Sequence, residues 1–186
     1  EILVDALKEI GELGAQGMVL DLRNNLGGLL ATTINVASQF LNDGLVLYAV
    51  DGDGHRTDYK VKSDGVAQNI LLVVLVNQFS ASASEIFAGA IQDYRRGIIV
   101  GDHSTHGKGT VQQLFNLGKE LFRINRPPNY GALKMTIQQF YRPSGDSTQN
   151  RGVVSDIELP SITTHLDVGE SDLDYPVPFD QVDGVP

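Results

Sequence analysis

The sequence contains no cysteine. That excludes a thiol nucleophile, thiolate zinc sites and disulfides, and it suits an oxidising compartment, where free thiols are a liability. No apolar run approaches the roughly 20 residues needed to cross a bilayer, so no stable membrane insertion is expected. No signal peptide is visible. The chain opens on Glu1 rather than methionine, as a processed product or a piece of a longer chain would. Basic residues are also scarce. With 14 Lys and Arg against 23 Asp and Glu, the formal net charge is −9, which excludes nucleic acid as the main partner, since phosphate binding needs a basic surface. Beyond Ser155 there are acidic residues but no Lys or Arg, so residues 161–186 read as an acidic, poorly packed extension. Over the whole chain the 41% hydrophobic content is that of a globular protein, and the length suffices for one sizeable core.

Hydrophobic spacing predicts a helix over residues 2–13, stopped by Gly14 and Gly17, and a short strand from Met18 to Leu22. That strand runs into Arg23-Asn24-Asn25-Leu26-Gly27-Gly28, a turn rich in residues that tolerate positive φ. A second helix is expected over 29–41. A strand from Gly44 to Val50 turns at Asp51-Gly52-Asp53-Gly54 into a return strand, Arg56 to Val61. The continuous apolar run Ile70 to Val76 has the character of a strand buried on both faces. Helical period follows from Glu85 to Tyr94, then a strand Gly97 to Val100, a polar glycine loop over 101–109, and strands at 110–117 and 133–141 flanking an irregular insertion. Alternating strands and helices imply an α/β core with crossover connections.

Several chemistries compete. Ser82 lies where a buried strand turns into a helix, flanked by alanines that let the backbone bend tightly. The free N–H groups of the helix start are the raw material of an oxyanion hole. Yet a serine there is also an ordinary N-cap, and Ser80, Ser82 and Ser84 compete for that role. Lys108, between two glycines, lies close to backbone. Partial desolvation would favour the neutral amine that can take a proton from a serine hydroxyl, although a surface loop lysine fits the same pattern. The segment Gly101 to Thr110 resembles a phosphate-binding loop but has five residues between its glycines, Gly109 where a Ser or Thr should stand, and a strand-like continuation. Asp102, His103 and His106 cluster as zinc ligands would, with His55 and His165 elsewhere, but at no recognised spacing. Asp51 and Asp53 suggest calcium only until the missing remainder of an EF-hand loop is noticed. A Ser-His-Asp triad based on His103 or His106 stays open, without a Gly-x-Ser-x-Gly elbow.

Four blocks then occur in order: Val19 to Gly28, Leu75 to Ile86 with Ser80-Ala81-Ser82-Ala83-Ser84-Glu85, Gly107 to Gln112, and Thr136 to Val153. Together they resemble the C-terminal processing peptidases, also called tail-specific proteases, over roughly residues 15–160. The acidic extension, with Gly169-Glu170 and Pro178-Phe179-Asp180, is more similar to the long periplasmic members. The resemblance implies a crotonase-like α/β peptidase core with a mixed, largely parallel sheet and crossover helices. It implies residues 1–160 as catalytic core, a Ser82/Lys108 dyad, oxyanion donors on Ala83 and Gly28, supporting roles for Glu85 and Gln112, and a catalytic role for Asp93. In one straight helix Asp93 would lie about 16 Å from Ser82, a separation that suits a structural or relay role. His106 stands where the family has a bulky aromatic, the loop before Lys108 is one residue longer, Leu26 replaces Gly or Pro, and Ser155 replaces Pro.

The resemblance further implies protein substrates with apolar C-termini, an exported, periplasmic location in a bacterium, and no cofactor. The PDZ-like module and early core strands of the family have no counterpart in these residues. The expectation is therefore a chain that folds, associates as a homodimer through an exposed edge or apolar patch, and cleaves tailed substrates negligibly by itself. A peptide-binding scaffold of the same fold without activity is the alternative.

Overall fold

The computed structural model describes residues 2–62, 65–122 and 124–184. Helix α1 (Ile2–Glu12) stops where Gly14 takes φ +72°, its N–H and that of Ala15 returning to the carbonyls of Gly11 and Ile10. Strand β1 (Gly17–Asp21) follows, then α2 (Leu30–Ala37), β2 (Leu45–Asp51), β3 (Arg56–Lys60), β4 (Leu71–Val76), α3 (Ala83–Asp93) and β5 (Ile98–Gly101). The chain continues through β6 (Thr110–Asn116), α4 (Leu117–Leu121), β7 (Ala132–Tyr141) and β8 (Ile157–Glu158).

The strands divide between two four-stranded sheets. Strands β1, β4, β5 and β8 form an all-parallel sheet in the order β1-β4-β5-β8, and β3-β2-β7-β6 is antiparallel. The α/β class agrees with expectation. Strands β2 and β3 pair across the tight turn at residues 52–55, as a short connection dictates, and β7 joins β2 from far along the chain, so these strands form a sheet of their own.

The core lies between the parallel sheet and α2 and α3. Leu72, Val74, Val76 and Ile99 point inward from the sheet to meet Ile34, Phe40, Ile86, Phe87 and Ile91, with Phe40 and Phe87 edge-to-face at 5.5 Å. Strand alternation puts Val19, Leu71, Ile98 and Ile157 on the opposite face, where they are exposed. Arg96 closes the lower end of the core by donating to the carbonyls of Phe40, Ala67 and Ile70. Among the described residues no helix is long and apolar enough to cross a membrane.

The acidic extension is not the loose tail that its composition suggested. Tyr141 donates its hydroxyl to Asp180, Ser147 N–H binds the Asp180 carbonyl, and Val182 N–H binds Gly145 O. Asn150 reaches Val177 O, and the Arg151 guanidinium lies 3.5 Å from the Phe179 ring centroid. These are backbone and aromatic contacts, which net charge does not reveal.

Candidate active site

Two parallel strands deliver the site. In such sheets functional groups collect beyond the carboxyl ends of the strands, and here β4 ends into the Asn77–Ser82 turn while β5 ends into the 102–109 loop. The first turn is bolted to the end of β1. Asn77 accepts the Asn24 N–H and donates to the Asn24 side chain, and Ser80 Oγ donates to Leu22 O. Ser84 Oγ donates to Asn25 O, and Ala81 N–H binds the same carbonyl. Ser80 and Ser84 are thus buried and committed to structure. Ser82, by contrast, makes no side-chain capping bond to the helix.

Ser82 has φ 55° and ψ −109°, a conformation that costs a residue with a side chain on the order of 1–3 kcal/mol. Ser82 lines a cleft beside the first turn of α3. Gly27, at φ +91°, packs so closely that a Cβ there would sit 2.7 Å from Ala81 O and Ala83 N, so only glycine lets this loop approach the turn. The result is a cleft of about 390 Å³ whose walls include Gly28, Ser82, Ala83, Lys108, Gln112 and Lys134. Among the described residues, the N–H groups of Ala83 and Gly28 have no protein acceptor. Lys108 lines the same cleft, with no direct hydrogen bond between its Nζ and Ser82 Oγ among the described residues.

Glu85 is fully buried and accepts four hydrogen bonds. Its Oε2 takes the N–H of Ser82 at 2.7 Å and that of Lys108 at 2.9 Å. Its Oε1 takes the Thr105 hydroxyl at 2.6 Å and the Gly107 N–H at 2.7 Å. Burial pushes this carboxyl up to about 7, against the opposing pull of the four donors.

Asp93 sits at the far end of α3 and is absent from the cleft walls. It forms an ion pair with Arg142, accepts the Ser144 N–H at 3.1 Å, and so fastens the turn after β7 to the helix. Both side chains are about seven-eighths buried. Asp93→Asn is therefore expected to lower stability by roughly 3 kcal/mol, the lower end for breaking a buried pair, while kcat of the folded enzyme stays within about twofold of its parent. A variant with an unchanged melting temperature and lost turnover would return Asp93 to the chemistry.

His103 and His106 do not gather in one site. His103 pairs with Glu158 at 3.2 Å, His106 with Glu170 at 3.5 Å, and the Asp102 carboxylate takes the Gln78 N–H and the Thr163 hydroxyl. Neither histidine lines the cleft that holds Ser82. The 101–109 loop leads into β6 rather than a helix, so it lacks the helix start of a phosphate-binding loop. Asp51, Asp53 and His55 lie close together but form an exposed turn, in which Asp51 Oδ1 accepts the N–H groups of Asp53 and His55.

Comparison with known proteins follows the same lines. Residues 1–159 match the model of peptidase family S41, and the chain belongs to that family. It is 41% identical over 170 residues to a tail-specific protease of Haemophilus influenzae, covering 90% of this chain and 24% of that protein. It is 35% identical over 181 residues to a carboxyl-terminal-processing protease of Synechocystis sp., covering 96% of this chain and 40% of that one. The solved photosystem II D1 C-terminal processing protease superimposes with a TM-score of 0.73 at 34% identity, over 84% of this chain and 38% of the other. The chain thus spans less than half the length of each of these three relatives.

Proposed function

We propose that this chain carries the catalytic centre of a serine endopeptidase that cleaves exported bacterial proteins selected by their C-terminal tails. Lys108, as the neutral amine, takes the proton of Ser82 Oγ while Oγ attacks the scissile carbonyl carbon. The resulting oxyanion is held by the N–H groups of Ala83 and Gly28. Lys108 then gives its proton to the departing amine, leaving an acyl-enzyme. Water, deprotonated by Lys108, hydrolyses the ester and restores Ser82. Gln112, on the cleft wall beside Lys108, suits orientation of that amine. No step requires a cofactor.

The observation that carries this reading is the single oxygen, Glu85 Oε2, shared by the backbone N–H groups of Ser82 and Lys108. A second hollow of about 260 Å³ adjoins the oxyanion donors, lined by Leu20, Leu22, Leu29, Val36 and Phe87. It suits an apolar substrate side chain and so supports apolar tails as the preferred class. The test is cleavage of an unfolded protein with an apolar C-terminus by the intact enzyme. Ser82→Ala should lower kcat by at least about 10⁴-fold. A parent enzyme that binds this substrate without cutting it would leave only the scaffold alternative.

A further inference from the structure

The acidic extension reaches the loop that carries Lys108. Glu170 N–H donates to His106 O at 2.8 Å, and Glu170 Oε2 lies 3.5 Å from His106 Nε2. The other oxygen, Oε1, accepts from Gln149 Nε2 at 3.3 Å, and Gln149 Oε1 in turn accepts the Gly109 N–H at 2.9 Å. One carboxylate therefore touches the loop two residues before Lys108 and, through Gln149, one residue after it. Its side chain is 15% exposed and that of His106 22%, so these contacts are partly shielded from water, where polar interactions keep more of their strength. His106 is also held from its other side by its N–H bond to Ser80 O. The loop is thus braced twice, by Glu85 from within the core and by Glu170 from the extension.

We infer that Glu170 is a positioning residue for the general base: by fixing residues 106 and 109 it sets where Lys108 meets Ser82. The inference rests on the Ser82/Lys108 reading above. It explains why the acidic extension is tied to the domain at this point, and why a histidine can occupy position 106, since its ring nitrogen lies near a carboxylate. Glu170 touches no reacting atom. Its effect on the rate comes through the geometry of Lys108, and small displacements of a catalytic group cost rate steeply.

The experiment compares the parent, Glu170→Ala, Glu170→Gln and Ser82→Ala in the intact enzyme on one unfolded substrate, with kcat, KM and melting temperature recorded for each. Glu170→Ala should lower kcat about ten- to hundredfold with KM within about twofold and the melting transition retained. Glu170→Gln, which keeps an acceptor for Gln149 or His106, should recover much of the lost kcat. A kcat for Glu170→Ala within about twofold of the parent would overturn the inference. So would a loss confined to KM, a collapsed melting transition, or a Gln variant as slow as the Ala variant. If Ser82→Ala retains activity, the dyad reading itself has failed, and the inference falls with it for that separate reason.

Discussion

Replacing Lys108 by arginine in the intact enzyme is expected to abolish turnover, with kcat at least about 10⁴-fold below the parent. Arginine keeps its positive charge at every pH a protein survives, so it cannot take the proton from Ser82 Oγ. It has nearly the reach of lysine, and the backbone N–H that binds Glu85 Oε2 is untouched, so loop geometry and stability should be conserved. The substitution thus separates base chemistry from simple positive charge in the cleft. Steady-state kinetics with a melting curve as control decide it. Near-parental rates in the arginine variant would refute proton abstraction by Lys108 and send attention back to His103 and His106, although both lie outside the cleft walls.

The second large effect belongs to Glu85. An amide in its place offers one acceptor atom where two are needed, so Glu85→Gln turns an NH2 group toward donors. The least costly orientation faces that group to Thr105, whose hydroxyl can accept, and leaves the Gly107 N–H buried without a partner. A loss of about 2–4 kcal/mol is expected, one or two unsatisfied buried groups at about 1–3 each. A fall in kcat of about a hundredfold should accompany it as the Lys108 loop loosens.

The pH dependence carries a further signature. The folded carboxyl titrates at about 7, above its ordinary 4.5, so the folded state holds this proton more tightly than the unfolded chain. The stabilisation from that proton is complete below about pH 4.5 and is lost as pH rises through 7. Its size is about 3 kcal/mol, from a displacement of two to three pH units. Urea unfolding at pH 4.5 and pH 8 should show the parent losing about that much more stability than Glu85→Gln across the interval. Parallel pH profiles for the two proteins would contradict it.

How much of this was readable beforehand differs by residue. Strand β4 and helix α3 were plain because a continuous apolar run and a 3.6-residue period are local signals. Ser82 stood out only by its place between them. What singles it out from Ser80 and Ser84 is long-range: those two bind carbonyls near the end of β1, more than 50 residues away in sequence. The convergence of Glu85 on Thr105, Gly107 and Lys108 likewise depends on two strands lying side by side, and no spacing along the chain encodes it. Short elements escaped altogether. Helix α4 and strand β8 are too brief for periodicity to develop, and β8 exists because β5 offers it an open edge. The extension is tethered more firmly than its charge suggested, because composition does not say which backbone groups and carboxylates find partners on the domain.

The backbone at Ser82 has an evolutionary consequence. Its positive φ is a conformation that glycine adopts without penalty and serine does not. Folding alone would therefore favour glycine at this position, whereas the proposed chemistry requires the hydroxyl. The two pressures oppose each other at a single atom. If Ser82 is the nucleophile proposed above, drift toward sturdier sequences would tend to erase it, and only selection for turnover would hold the hydroxyl in place.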